Sequence, residues 1–145
     1  MSYWVHGWVE TGSALGPDRT VWRARLSLDL FSLLGDPVSD LLFGLAKKPS
    51  LTALFKGRGL PPDASKIVTD TFVENQRGID EHQDGDFGHT YALLSEIQTV
   101  QAQLDEVLAT SQHPGWGQVF QTIDTFPKEI RGAPDSIRLV VWAYW

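Results

Sequence analysis

From Tyr3 to Glu10 aromatic and β-branched residues crowd together and stop at Thr11-Gly12-Ser13, which predicts a strand. Gly16-Pro17-Asp18 marks a turn, and Trp22-Arg23-Ala24-Arg25-Leu26 alternates apolar and basic residues. Period two puts Trp22, Ala24 and Leu26 on one face of a second strand and both arginines on the other. Leu28 to Leu34 predicts a short helix stopped by Gly35. Asp36-Pro37 opens another, because Asp caps free N–H groups and Pro is tolerated in the first turn. It is expected to reach Ala46 with Leu41, Leu42 and Leu45 inward, ahead of Lys47-Lys48-Pro49.

Lys56 to Gly88 is rich in glycine, proline and charge. A short helical piece is expected from Asp63 to Glu74 and an exposed loop from Gly78 to Gly88. Ser95-Glu96-Ile97-Gln98 reads as a capping box, and Ile97, Val100, Leu104, Val107 and Leu108 follow at helical spacing, so one helix is predicted from Glu96 to Ala109. Gln118 to Thr125 predicts a further short helix and Ile130 to Ser136 a linking turn. Ile137 to Trp145 has the branched and aromatic density of a central or two-sided strand. The sum is one α+β domain over 1–145, with a mainly antiparallel sheet and helices packed on one face.

Composition narrows the function classes. At 145 residues, 42% hydrophobic and 21% charged, the chain is long enough for a proper core, folding removing roughly 68 to 70% of the unfolded surface from water. There is no cysteine, so disulfides and thiolate metal sites are excluded. No apolar run has the length of a membrane span or a signal peptide, and a cytoplasmic protein is expected. A net charge of −6 disfavours duplex nucleic acid as a partner but leaves a small nucleotide open, since a few local cations suffice to hold one.

Three separated blocks carry a family pattern: Gly57-Arg58-Gly59-Leu60-Pro61-Pro62-Asp63-Ala64-Ser65, Gly88-His89-Thr90-Tyr91-Ala92-Leu93-Leu94-Ser95-Glu96-Ile97, and Ile137-Arg138-Leu139-Val140-Val141-Trp142. They resemble a family of small proteins found mostly in bacteriophages and prophages, in which an RGLPxDxS turn leads to a GHxxxxLxEL segment and a late strand begins with an apolar-Arg-apolar-Val-apolar-Trp run. The resemblance extends to Tyr3–Glu10 and Leu30–Gly35, about a third of the chain in all. Where family members carry a second histidine after the first, this chain has Tyr91.

Four groups of residues offer chemistry. Asp80 to His89 gathers carboxylates and two imidazoles, but a calcium loop fails at its twelfth position, where Tyr91 replaces the bidentate carboxylate, and a solvated acidic loop is the simpler reading. His89 could bind a ligand, act as acid or base near neutral pH, or hold a loop through a backbone carbonyl. Arg58, between two glycines, could meet an anion, or form an internal salt bridge while the glycines make the turn. Six tryptophans are mostly core, and Trp116, flanked by Gly115 and Gly117, is the candidate for an exposed stacking surface.

No metal, cofactor or catalytic residue is expected: the chain lacks a Gly-x-Ser-x-Gly elbow and a His-Glu-x-x-His helix. The expected site is a ligand pocket lined by Arg58, His89, Arg23, Arg25, Tyr91 and Trp116. In the phage setting that the resemblance implies, its occupant would be a nucleotide-derived immune signal, held without turnover by an anti-defence sponge. The alternatives are an acidic inhibitor that docks Asp80 to Asp86 on a host defence enzyme and a hydrolase working through His89 and loop carboxylates. The aromatic terminal strand suggests a homo-oligomer.

Overall fold

A computed structural model describes residues 4–45, 53–82 and 86–144, without the side chains of 76–82 and 86. Four strands form one antiparallel sheet in the order β2-β1-β4-β3, with β1 at Trp4–Ala14, β2 at Thr20–Ser27, β3 at Asp86–Leu93 and β4 at Ile137–Tyr144. The α+β class and antiparallel sheet are as expected from the sequence. β4 is a central strand buried from Ile137 to Ala143, in keeping with a run that is apolar but for Arg138.

The main core lies under the face that carries Val5 and Val9 of β1, Ala92 of β3 and Ile137, Leu139, Val141 and Ala143 of β4. Against it pack α1 (Pro37–Phe43), α3 (Leu94–Gln98), α4 (Gln101–Thr110) and α5 (Gly115–Ile123) through Leu42, Phe43, Ile97, Leu104, Trp116, Val119 and Ile123. A smaller cluster occupies the opposite face, where Val68 of α2 (Lys66–His82) meets Val140 and Trp142. Helices thus flank both faces, with most of the helical mass on the first.

Two β-bulges decide which side chain faces which layer. The β1–β2 register pairs Val9 with Leu26 and Glu10 with Ala24, so Arg25 is an extra residue in β2. Strict alternation placed Leu26 beside Trp22 and Ala24; the bulge sends it to the main core with Val9, while Ala24 stays with Glu10 on the α2 side. In β3, Phe87 opposes Ala143 and Thr90 opposes Val141, so Gly88 and His89 together face the single residue Trp142. Gly88 makes this possible with a φ of +71°, a left-handed conformation that costs glycine little.

Several element boundaries depart from the sequence pattern. Leu28–Phe31 is only one 3₁₀ turn, closed by Ser32 at a φ of 50°. Asp36 does cap α1, accepting from the Ser39 N–H at 2.9 Å, but the helix ends at Phe43 because Gly44 adopts the left-handed C-cap. Of the expected 78–88 loop, residues 78–82 belong to α2 and 86–88 to β3, while 83–85 lie outside the described residues. The single helix from Glu96 is two helices, divided at Thr99 and Val100. It is also entered earlier: β3 runs directly into Leu94, and the Glu96 carboxylate accepts from the Leu93 N–H at 3.0 Å, so Leu93 rather than Ser95 stands at the cap position. The linking turn before β4 contains α6 (Lys128–Arg131) and a 3₁₀ turn at Pro134–Ser136.

Candidate functional site

Residues 55–60 run alongside the outer edge of β3. The Gly59 N–H donates to the His89 carbonyl at 2.9 Å, the Arg58 N–H to the Thr90 hydroxyl at 3.2 Å, and that hydroxyl to the Phe55 carbonyl. The first satisfies a backbone carbonyl that an edge strand would leave open, and the other two tie the segment to the Thr90 side chain. They bring Arg58, His89 and Tyr91 onto one edge of the sheet.

The Arg58 guanidinium forms a bidentate pair with Glu96, at 2.8 and 2.7 Å, and also donates to the Tyr91 carbonyl at 3.2 Å. Its central carbon lies 5.1 Å from the Phe55 ring centroid and 5.4 Å from that of Tyr91. Fork and rings fix the guanidinium in one orientation while 31% of its side chain remains exposed. Hydrogen bonding to Arg58 holds the Glu96 carboxyl below its ordinary range, and the same bond raises Arg58 above its own. The internal salt-bridge role is therefore filled, and an incoming anion would compete with Glu96.

His89 stacks on Trp142 with ring centroids 5.6 Å apart at 24°, and the Phe72 ring of α2 meets it edge-on at 5.0 Å. Tyr91, partly buried, packs against the same cluster around the buried Trp142. This aromatic layer, with Arg58 at its margin, is the candidate binding surface.

The other expected lining residues are elsewhere. Arg23 and Arg25 are exposed on β2, three strand spacings or about 14 Å from β3. Trp116 is fully buried on the opposite face, in the first turn of α5, because that helix starts at Gly115 rather than Gln118. Its indole N–H donates to the Ser39 hydroxyl at 2.8 Å and its ring meets Phe43 and Phe120 at centroid distances of 5.7 and 6.0 Å, so no surface is left for stacking a ligand. Of the acidic segment, the side chains of residues 80–82 and of Asp86, and all of 83–85, lie outside the described residues. Among the described residues no group of three or more His, Asp or Glu could hold a metal, and no helix is long and apolar enough to cross a membrane.

The sequence analysis did not single out a second polar constellation. Glu10, fully buried, accepts from Arg138 Nε at 2.6 Å and from the Ser65 N–H at 2.7 Å. Arg138, 4% exposed, also donates to the Asp63 carboxylate at 2.8 Å and to its carbonyl at 3.2 Å, with its guanidinium 3.9 Å from the Trp22 ring centroid. A weak signal existed: Glu10 is the one acid of the first strand and Arg138 the one charge of the last, and a charge buried in a sheet calls for an opposite partner.

No protein-family model matches the chain, and no curated protein or solved structure is significantly similar to it. The motif residues nonetheless have a shared physical logic. Each polar member bonds a different block: Arg58 with Glu96, Asp63 with Arg138, and Ser65 with Glu10 of the first strand, while His89 stacks on Trp142. Much of the pattern is accounted for by joining the 57–65 turn to the sheet.

Proposed function

We propose that this protein binds a small, flat, anionic ligand of nucleotide type and does not turn it over. The observation that carries the reading is the partly exposed Arg58 guanidinium, oriented by Glu96 and the rings of Phe55 and Tyr91 beside the His89–Trp142 stack. A phosphate or carboxylate of the ligand would exchange for Glu96 on the fork, and a planar base would lie against the aromatic margin. In the phage setting that the motif resemblance implies, the protein would act as a sponge for a nucleotide-derived immune signal in the bacterial cytoplasm.

The test is native mass spectrometry of protein purified from bacterial lysate with and without an active nucleotide-signalling defence, followed by titration with cyclic dinucleotides and ATP. The expected result is a small mass released intact on denaturation, captured by the wild type and lost in Arg58→Ala. Glu96→Gln should bind at least as tightly, because the competing carboxylate is gone. A protein empty in both lysates and inert to the panel would overturn the reading and shift weight to an acidic inhibitor of a host enzyme.

A further inference from the structure

Arg23 and Arg25 are separated from Arg58 by β1, β4 and β3 and belong to the far edge of the sheet. β2 pairs only with β1, and no strand lies on its other side among the described residues. From Arg19 to Leu28 the chain holds three arginines and no carboxylate, in a protein whose net charge is −6. All three are exposed, and none forms an ion pair among the described residues. Arg25 is the extra residue of the bulge and its Nε donates to the Thr11 hydroxyl at 2.8 Å; Arg23 is paired in register with the same Thr11. The two guanidinium groups are therefore presented from adjoining positions of one edge, one of them already braced.

The geometry points to an interaction surface: β2 accepts an acidic, extended segment of a partner protein as a fifth strand, with carboxylates facing Arg23 and Arg25. Backbone groups along an open edge supply the pairing, and cross-strand opposite charges supply the selectivity. A second copy of this chain is the poorer occupant. Antiparallel self-pairing about Ala24, in the middle of β2, would set Arg23 of each copy opposite Arg25 of the other, and like charges placed opposite are destabilising. Lone charged residues also protect strand edges from aggregation, but that role does not require three cations of one sign within seven positions.

Fluorescence anisotropy of the full chain tests this with a labelled peptide of alternating Glu and Val, matched in length to the 8 residues of β2. Binding with a Kd below about 1 mM at low salt is expected, and the double charge reversal Arg23→Glu with Arg25→Glu should weaken it about tenfold or more. The matching Lys-Val peptide should not bind. Alternate N-methylation of the Glu-Val peptide should also abolish binding, because it removes the pairing N–H groups. Absence of binding to the unmodified peptide, equal binding of the methylated one, or equal binding of single-stranded oligothymidine would each overturn the proposal. Both arginines are exposed, so Arg23→Ala with Arg25→Ala, which gives up the Arg25 bond to Thr11, should stay folded with a slightly lowered thermal midpoint and provides a second variant with the same predicted loss.

Discussion

Glu10 and Arg138 stand 128 positions apart in sequence and face each other on paired strands at 2.6 Å, both buried. Two charges removed from water are tolerable only when their remaining hydrogen-bonding capacity is used, and here Ser65, Asp63 and the Trp22 ring use it. The pair thus fastens the 57–65 turn, and with it Arg58, to the centre of the sheet.

Removing one partner strands the other. Glu10→Ala should cost about 3 to 5 kcal/mol in urea unfolding. Combined with Arg138→Met the loss should fall short of the sum of the single changes by more than about 0.5 kcal/mol, the scale at which contacting residues depart from additivity. Additive losses would show that the two residues are stabilised independently. Asp63, whose side chain is 56% exposed, should matter less: Asp63→Asn is expected to cost about 1 kcal/mol or less.

The Arg58–Glu96 pair makes a different prediction, in pH. Arg58 depresses the folded-state carboxyl of Glu96, so its contribution to stability is fully present above the unfolded value of about 4.5 and is lost as pH falls through the lower folded value. The gap in thermal midpoint between wild type and Glu96→Gln should therefore stay constant from neutral pH to about pH 5 and close in more acidic solution. A gap that widened on acidification would contradict the pairing.

Gly7 is required by close approach as well as by conformation. With φ at +150°, a Cβ there would sit 2.0 Å from the Val140 carbonyl oxygen, within the central β1–β4 pair. Gly16 has a similar φ of +137° but open space around it. Gly7→Ala should cost at least about 3 kcal/mol and Gly16→Ala only about 1 kcal/mol, measured as shifts in urea midpoint. Equal losses would assign the whole effect at Gly7 to backbone strain.

Trp116 provides a check on the main core. Trp116→Phe keeps a ring against Phe43 and Phe120 but removes the donor to Ser39, and is expected to cost about 1 to 2 kcal/mol. Trp116→Ala, which also opens a cavity, should cost about 3 to 5 kcal/mol. Ligand capture by a still-folded Trp116→Phe protein should be unchanged, since the indole lies on the face opposite His89.

Short-range pattern was sufficient for what depends on neighbours in sequence. The apolar run of β4 called for a central strand, Asp36 and Pro37 for a helix start, and the chain's mix of strands and helices for an α+β domain, because each follows from local propensity and burial periodicity. The pattern failed where long-range contact outweighed local preference. Gly78 did not interrupt α2, and the glycine-histidine step that reads as a loop became a bulge because Gly88 can be left-handed and His89 can stack on Trp142.

The candidate site divides along the same line. The sequence singled out Arg58, His89 and Tyr91 as residues of interest, and the fold brought them together by bonding residues 58 and 59 to β3. It also separated Arg23, Arg25 and Trp116 from them, because strand order and helix placement are properties of the whole chain. Residue type states what a side chain can bond; only tertiary packing states which group it meets, since desolvation makes a buried charge find a partner and many partners are equally distant in sequence. Glu10 for Arg138 was such a choice, and the half-exposed pairing of Arg58 with Glu96 followed from the same sheet and its covering turn.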